Sequence, residues 1–204
     1  PIRMEKNWSF WTYNRQLYIS YLTFPEHIVL KLSKDGCQEA AKTKGPDLGV
    51  KLWGSTPAIK YNDKEYLAMG HIKYDYKKKK IIPENMLKGK VGTNLHINKT
   101  CYYSMDYKHL IYSSFFYTFE SKPPFAIKRI SNAFIPGLKE NRKWLTFPAG
   151  IVKLKNQIIF SYGSNDVESK IDTLPINFIE SILLDYKNLN HLDLMVNNKS
   201  YKLY

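Results

Sequence analysis

Three short stretches of this 204-residue chain repeat one pattern, a polar turn containing Asn between two apolar runs. They are Tyr13-Asn14-Arg15-Gln16-Leu17-Tyr18, Tyr61-Asn62-Asp63-Lys64-Glu65-Tyr66 and Leu154-Lys155-Asn156-Gln157-Ile158-Ile159. Each reads as a hairpin, because Asn accepts the backbone conformations that tight turns need. The first two Asn are 48 residues apart and the second and third are 94 apart. A hairpin-bearing period of about fifty residues is the pattern of a β-propeller or a similar β-array.

The runs around these turns predict the remaining strands. Residues 8–13, 16–22 and 27–32 are short and rich in aromatic and β-branched side chains. Residues 33–50 hold Gly36, Gly45, Pro46 and Gly49, which predicts a loop. Residues 57–61 and 65–73 predict a hairpin, 109–120 a long aromatic strand, and 125–131 a strand after the Pro123-Pro124 turn. A third unit spans 144–154 and 157–162. Residues 176–184 read as either a helix or a strand, since their apolar positions fit neither period cleanly, and 191–204 resembles a last hairpin. The segment 74–108 holds a Lys run, Pro83 and little periodicity, so it reads as a surface excursion. The expected fold is all-β, with three propeller blades of antiparallel strands in one partial domain. The blades cover about residues 5–50, 51–140 (with the insertion 74–108) and 141–204.

Composition narrows the function classes. The formal charge of +13 predicts attraction to polyanions, although Lys abundant beside Asn, Ile and Tyr is also what an AT-rich genome, such as that of a large virus or its host, imposes. The densest cluster, Lys77 to Lys80, reads equally as a solvated run or a binding patch. No run of eighteen apolar residues predicts a membrane span, and no basic-then-apolar leader is present. The sequence begins at Pro1, as expected of a chain that has lost its initiator Met or is a segment of a longer one. Cys37 and Cys101 have no metal-type spacing and make no disulfide framework, which predicts free thiols in a reducing, cytoplasmic setting. No cofactor or metal is expected.

Four polar motifs fall at matching places on the units: Glu5-Lys6-Asn7-Trp8, Gly54-Ser55-Thr56-Pro57, Phe147-Pro148-Ala149-Gly150 and Ser161-Tyr162-Gly163-Ser164-Asn165-Asp166. Small residues and Pro at a strand opening let the backbone approach a central axis closely. Asp166, after an apolar strand, reads either as a ligand-facing carboxylate or as the start of a turn. His71 reads either as a ligand contact or as a hydrogen-bonded structural residue.

Taken in order, Glu5-Lys6-Asn7, Gly54-x-x-Pro57-x-Ile59, Tyr66-Leu67 with Gly70-His71, Pro123-Pro124-Phe125, Phe147-Pro148-Ala149-Gly150 and Tyr162-Gly163-Ser164-Asn165-Asp166 resemble the later blades of the glycoside hydrolase family 130 propellers. The resemblance is spread over about residues 5–184. That family comprises five-bladed β-mannoside phosphorylases, mannosidases and related mannosyltransferases. The resemblance implies a C-terminal three-blade portion of such a ring, acting on mannose-type β-linked oligosaccharides as a glycosidase or glycosyltransferase. It implies Asp166 and Glu5 as carboxylates for catalysis, and Lys6, Asn7, Trp8, Thr56, His71 and Tyr162 as substrate contacts, with Trp8 and Tyr162 stacking on a pyranose face. Two features depart from the family. Ser20-Tyr21-Leu22 stands where its phosphorylases carry a phosphate-holding Arg. The blade bearing its general acid precedes the region matched here. An open arc exposes two blade faces, so a second chain or segment supplying the missing blades is an expected partner. Two other readings stay open: a non-catalytic carbohydrate- or protein-binding module, and a polyanion binder. Against the latter, no nucleic-acid motif is present and the sixteen Tyr sit largely at strand positions.

Overall fold

The computed structural model describes residues 7–45, 47–75, 110–137, 145–164, 168–196 and 199–202. Among the described residues the strands form three sheets, and antiparallel pairing dominates. The first sheet is a meander of β1 (Ser9–Tyr13), β2 (Gln16–Leu22), β3 (Glu26–Ser33) and β4 (Gly36–Lys44). Its first turn is Asn14-Arg15, with φ of 49° and 60°. Two successive positive φ values are what a two-residue hairpin matching the strand twist requires.

The strand β4 corrects the loop expected over residues 33–50. Gly36, at φ 122°, ends the β3–β4 turn instead of starting an irregular segment. The nine residues from Gly36 to Lys44 pair along β3, from Ser33↔Gly36 to Glu26↔Lys44. They lie at the sheet edge, mostly exposed, so Gln38, Glu39 and Lys42 show no apolar alternation.

The middle sheet is built on β7 (Glu65–Asp75) and β8 (Leu110–Glu120), paired over their full length from Glu65↔Glu120 to Asp75↔Leu110. On the far side of β7 lie two pieces of one leading strand, β5 (Leu52–Gly54) and β6 (Ile59–Lys60). On the far side of β8 lie β9 (Ile127–Ser131) and β10 (Ala133–Phe134). Leu67, Ala68 and Met69 are all fully buried, as are Phe115, Phe116 and Tyr117. Strands covered on both faces lose polar alternation and read as continuous apolar runs. Tyr66, Ala68, Ile72, Phe115, Tyr117 and Phe119 belong to the core shared with the first sheet, while Leu67, Met69 and Phe116 belong to a second core.

That second core faces the third sheet, β11 (Thr146–Leu154), β12 (Gln157–Ser164) and β13 (Glu168–Pro175). Ile158, Phe160 and Tyr162 alternate along β12 to fill it. A register shift between Pro148 and Gly150 marks a bulge in β11, where Pro has no N–H to offer the ladder. The region read as either a helix or a strand is both: α1 (Ile176–Ile182) runs into β14 (Leu183–Asp185). The tail then forms the hairpin β15 (Asp193–Val196) and β16 (Lys199–Lys202). These last three strands join the middle sheet, β14 on β9 and β15 parallel to β10.

The three leading strands run in the same direction. Along β1, Ser9, Phe10 and Thr12 meet the middle sheet at Gly54, Ala58 and Tyr66 in turn; Ala58 N–H donates to the Phe10 carbonyl (2.9 Å) and the Tyr66 hydroxyl to that of Thr12 (2.6 Å). Along β11, Phe147 meets His71, the partner of Trp53, and Lys153 Nζ reaches the Tyr61 carbonyl (2.6 Å). The outward faces of the first and third sheets remain apolar: Phe10 is 40% exposed, Val152 51% and Ile171 71%. The insertion read over 74–108 falls mostly outside the described residues.

Candidate functional site

The end at which β1, β5 and β11 begin collects the small and aromatic residues that the sequence motifs singled out. Gly54 is required there by close approach: a Cβ would come within 2.9 Å of Thr23 Oγ1, 3.1 Å of Ser9 Oγ and 3.2 Å of the Asn7 carbonyl. Asn7 itself has φ 66°, a left-handed conformation that Asn tolerates better than most residues. Beside it Trp8 is 39% exposed, with its ring 6.1 Å from that of Tyr21.

His71 sits at the centre of this end. It is buried, and its Nδ1 lies 2.7 Å from Ser55 Oγ. Its ring stacks between Trp53 on β5 (5.4 Å, 10° between planes) and Tyr112 on β8 (5.9 Å, 15°). Phe147 of β11 closes over it at 4.7 Å while remaining partly exposed. Lys51 Nζ lies 5.1 Å from the Trp53 ring centre and Lys73 Nζ 5.7 Å from that of Tyr112. Three nearly parallel rings stand in a row, flanked by cations, and Phe147 beside them leaves a partly open ring on which a planar or pyranose ligand can rest.

The expected site residues distribute unevenly. Asn7, Trp8 and His71 lie at this end. Thr56 is also near it, but fully buried, and its Oγ1 accepts from Met69 N–H (2.9 Å), which anchors the break between β5 and β6. Tyr162 lies in the interior between the middle and third sheets at 2% exposure, with no open ring face for a sugar. Glu5, Lys6 and Asp166 lie outside the described residues. The residues that sequence reasoning missed are Trp53, Tyr112, Phe147, Ser55, Lys51 and Lys73. Phe147 stood in a named motif, but the ring row is a cross-strand feature that no local pattern displays.

The opposite end of β7 carries the acids. Six residues before His71, about 20 Å along the strand, Glu65 is paired with Arg129 of β9. Arg129 also donates to Glu180 of α1 at 2.5 Å. The Arg129 hydrogen bonds hold the Glu180 carboxyl below the usual carboxylate range. Cross-strand Glu120 accepts from the Ala126 N–H. A cavity of about 590 Å³ opens there beside Asn62, Lys64 and Lys128. With Glu65 and Glu180 locked to Arg129, this end is organised for structure more than for proton transfer. Among the described residues no cluster of His, Cys, Asp and Glu has the arrangement of a metal site, and no helix is long and apolar enough to cross a membrane.

No family model matches the chain, and no curated protein does. Among solved structures, the chain is similar to a glycosyl hydrolase from Bacteroides ovatus, with 14% identity and a TM-score of 0.45. The match covers 85% of this chain and 49% of that one, so the chain spans about half the length of the structure it matches.

Proposed function

We propose that this chain is a glycan-binding sector of a β-propeller, with its ligand site at the end where the three leading strands begin. One observation carries the reading: at the end where three sheets meet, the partly exposed Phe147 ring lies 4.7 Å from that of His71, which is fixed to Ser55, and the partly exposed Trp8 stands just before β1 at the same end. Open aromatic faces beside anchored polar groups are how proteins hold pyranose rings, the ring supplying apolar contact and the polar groups orienting hydroxyls.

The finer reading is action on mannose-type β-linked oligosaccharides in the manner of family 130. Its support is the motif order together with the position of the flanking residues. Asn7, which follows Glu5 and Lys6, and the paired Ser164 and Glu168, which bracket Asp166, are at this same end. Asp166 and Glu5 are then the carboxylates for acid–base work. Titration calorimetry with β-manno-oligosaccharides, paired with a product assay, tests both levels. Trp8→Ala and Phe147→Ala are expected to weaken binding roughly tenfold each, and Asp166→Asn to abolish turnover without abolishing binding. Absence of saccharide binding at millimolar ligand refutes the binding reading, and unchanged turnover in Asp166→Asn refutes the catalytic one.

A non-catalytic binding module is the second reading. Its support is that the buried carboxylate Glu65 lies at the far end, locked to Arg129. The same propeller reading assigns the apolar outward faces of the first and third sheets to contact with further blades from another chain or segment. A native mass measurement showing a stable, partner-free monomer would remove that assignment.

A further inference from the structure

We propose that the saccharide held at this end carries a negative charge, a carboxylate or phosphate group, seated between Lys51 and Lys73; the inference rests on the glycan reading above and names the substrate class. The ladder of β5 on β7 pairs Leu52 with Ile72 and Trp53 with His71. One step further along the same register sets Lys51 opposite Lys73, and Lys73 is paired in turn with Tyr112. Both lysines are exposed. Like charges directly opposite on neighbouring strands destabilise a sheet.

Some lysines are answered by acids: Lys42 pairs with Glu26, Lys60 with Asp63 and Lys170 with Glu168. Lys51 and Lys73 pair with no carboxylate among the described residues. Each instead lies over a ring, Lys51 on Trp53 and Lys73 on Tyr112. Ring contact offsets part of the repulsion and leaves the positive field uncancelled. An anion between the two ammonium groups neutralises both at once, and a sugar bearing that anion is placed beside the row of Trp53, His71 and Tyr112. The formal charge of +13 draws an acidic ligand in the same direction.

The test is calorimetric titration at one fixed ionic strength. The probes are a neutral manno-oligosaccharide, a uronate-containing oligosaccharide of equal length, a sugar phosphate and a single-stranded oligonucleotide. Each is titrated into the unmodified chain and into the double variant Lys51→Gln/Lys73→Gln. Because both side chains are exposed, the variant is expected to fold, with a melting temperature equal to or above that of the parent. The expected result is that one acidic saccharide binds at least roughly fivefold tighter than the neutral one. The double variant loses this preference and binds neutral and acidic sugars alike. Whichever acidic probe binds tighter identifies the anion as carboxylate or phosphate. Equal binding of neutral and acidic sugars, or a preference that survives in the variant, overturns the charge inference and leaves the glycan reading standing. No binding of any saccharide overturns both. An oligonucleotide that outcompetes every sugar through the same two lysines overturns the saccharide assignment in favour of nucleic acid.

Discussion

Between the first and middle sheets, Trp11 lies within about 5 Å of four rings: Tyr18, Tyr66, Phe119 and Phe125. Between the middle and third sheets, Phe116 meets Phe160 edge-on at 5.9 Å, and aliphatic side chains such as Leu67, Ile158 and Ile179 fill much of the rest. The two seams also treat their polar groups differently. In the first, Trp11 Nε1 donates to Ser20 Oγ (3.3 Å), Ser20 Oγ donates to His27 Nε2 (2.8 Å), and His27 Nδ1 donates to the Phe125 carbonyl (2.7 Å). Every member of that buried chain has a partner. In the second, the hydroxyls of Ser114, Thr118 and Ser164 are buried without one among the described residues. Ser114 is paired with His71 and Ser164 with Thr146, so these two positions border the candidate site. The first seam also keeps one such hydroxyl, that of Thr43 across from His27, so the contrast lies in the ring cluster and in the Trp11–Ser20–His27 chain.

The largest effect expected from this contrast is at Trp11. Trp11→Ala removes the shared neighbour of four rings from a seam with few ways to collapse, and a loss of about 3–5 kcal/mol is expected in urea titration. Phe160→Ala in the other seam is expected to cost less, because the surrounding aliphatic side chains repack more readily. A Phe160 loss equal to or above that of Trp11 would abolish the distinction between the two interiors.

Acid comes next. Burial pushes the His27 imidazole down from 6.5 to about 4, and its bond to the Phe125 carbonyl opposes the shift only in part. The folded chain thus holds His27 neutral at pH values where the unfolded chain binds a proton. Stability from this group is complete above pH 6.5, falls as pH drops toward 4 and is gone below it, a span of about 3 kcal/mol. Denaturation midpoints measured from pH 7 to pH 4 are expected to show that decline, and His27→Gln to flatten it. An identical decline in His27→Gln would assign the acid sensitivity to other groups.

The sequence displayed some of this and concealed the rest for physical reasons. The hairpin turns were legible because Asn14-Arg15 and Asn62-Asp63-Lys64 carry turn chemistry between apolar runs, and Lys64 N–H donates to Asn62 Oδ1 (2.8 Å) as such turns do. The edge strand β4 was not, because an exposed strand needs no alternation. The short α1 buries only Ile179, so it leaves no helical stripe. The parallel pairing of β10 with β15 joins residues about sixty apart, beyond any local signal. At the site, Trp8 and His71 stood in recognisable motifs. Burial decided against open sugar contact by Thr56 and Tyr162, and burial of a polar residue within a strand is set by the neighbouring sheet, not by its own sequence. The row of Trp53, His71 and Tyr112 exists only once three strands are in register.

An intermediate effect is expected at Arg129, which fastens the second seam from its far end. Its guanidinium bridges Glu65 of β7 and Glu180 of α1. Arg129→Ala leaves Glu65, whose side chain is 11% exposed, facing no counter-charge. The pair retains some solvent contact, so the expected loss is about 2 kcal/mol, less than for a fully buried pair. Arg129→Lys keeps the charge without the fork and is expected to recover less than half of it. Full recovery by Lys would show that charge alone, not bidentate geometry, holds α1 to the sheet.

The smallest effects discriminate best, because they are expected to differ in sign. Ser20→Ala deletes a hydroxyl that links Trp11 to His27, and strands two buried ring nitrogens; a loss of about 1–2 kcal/mol follows from their desolvation. Thr118→Val replaces a buried hydroxyl that has no partner among the described residues with a methyl of similar size, so it removes a penalty and no bond. A gain of up to about 1 kcal/mol is expected. Both changes remove one oxygen from a fully buried strand position, so a difference between them reflects the hydrogen bonding of each seam more than burial as such. If Thr118→Val instead destabilises the chain as much as Ser20→Ala does, the hydroxyl is engaged. The interior beside the candidate site is then as well satisfied as the one away from it.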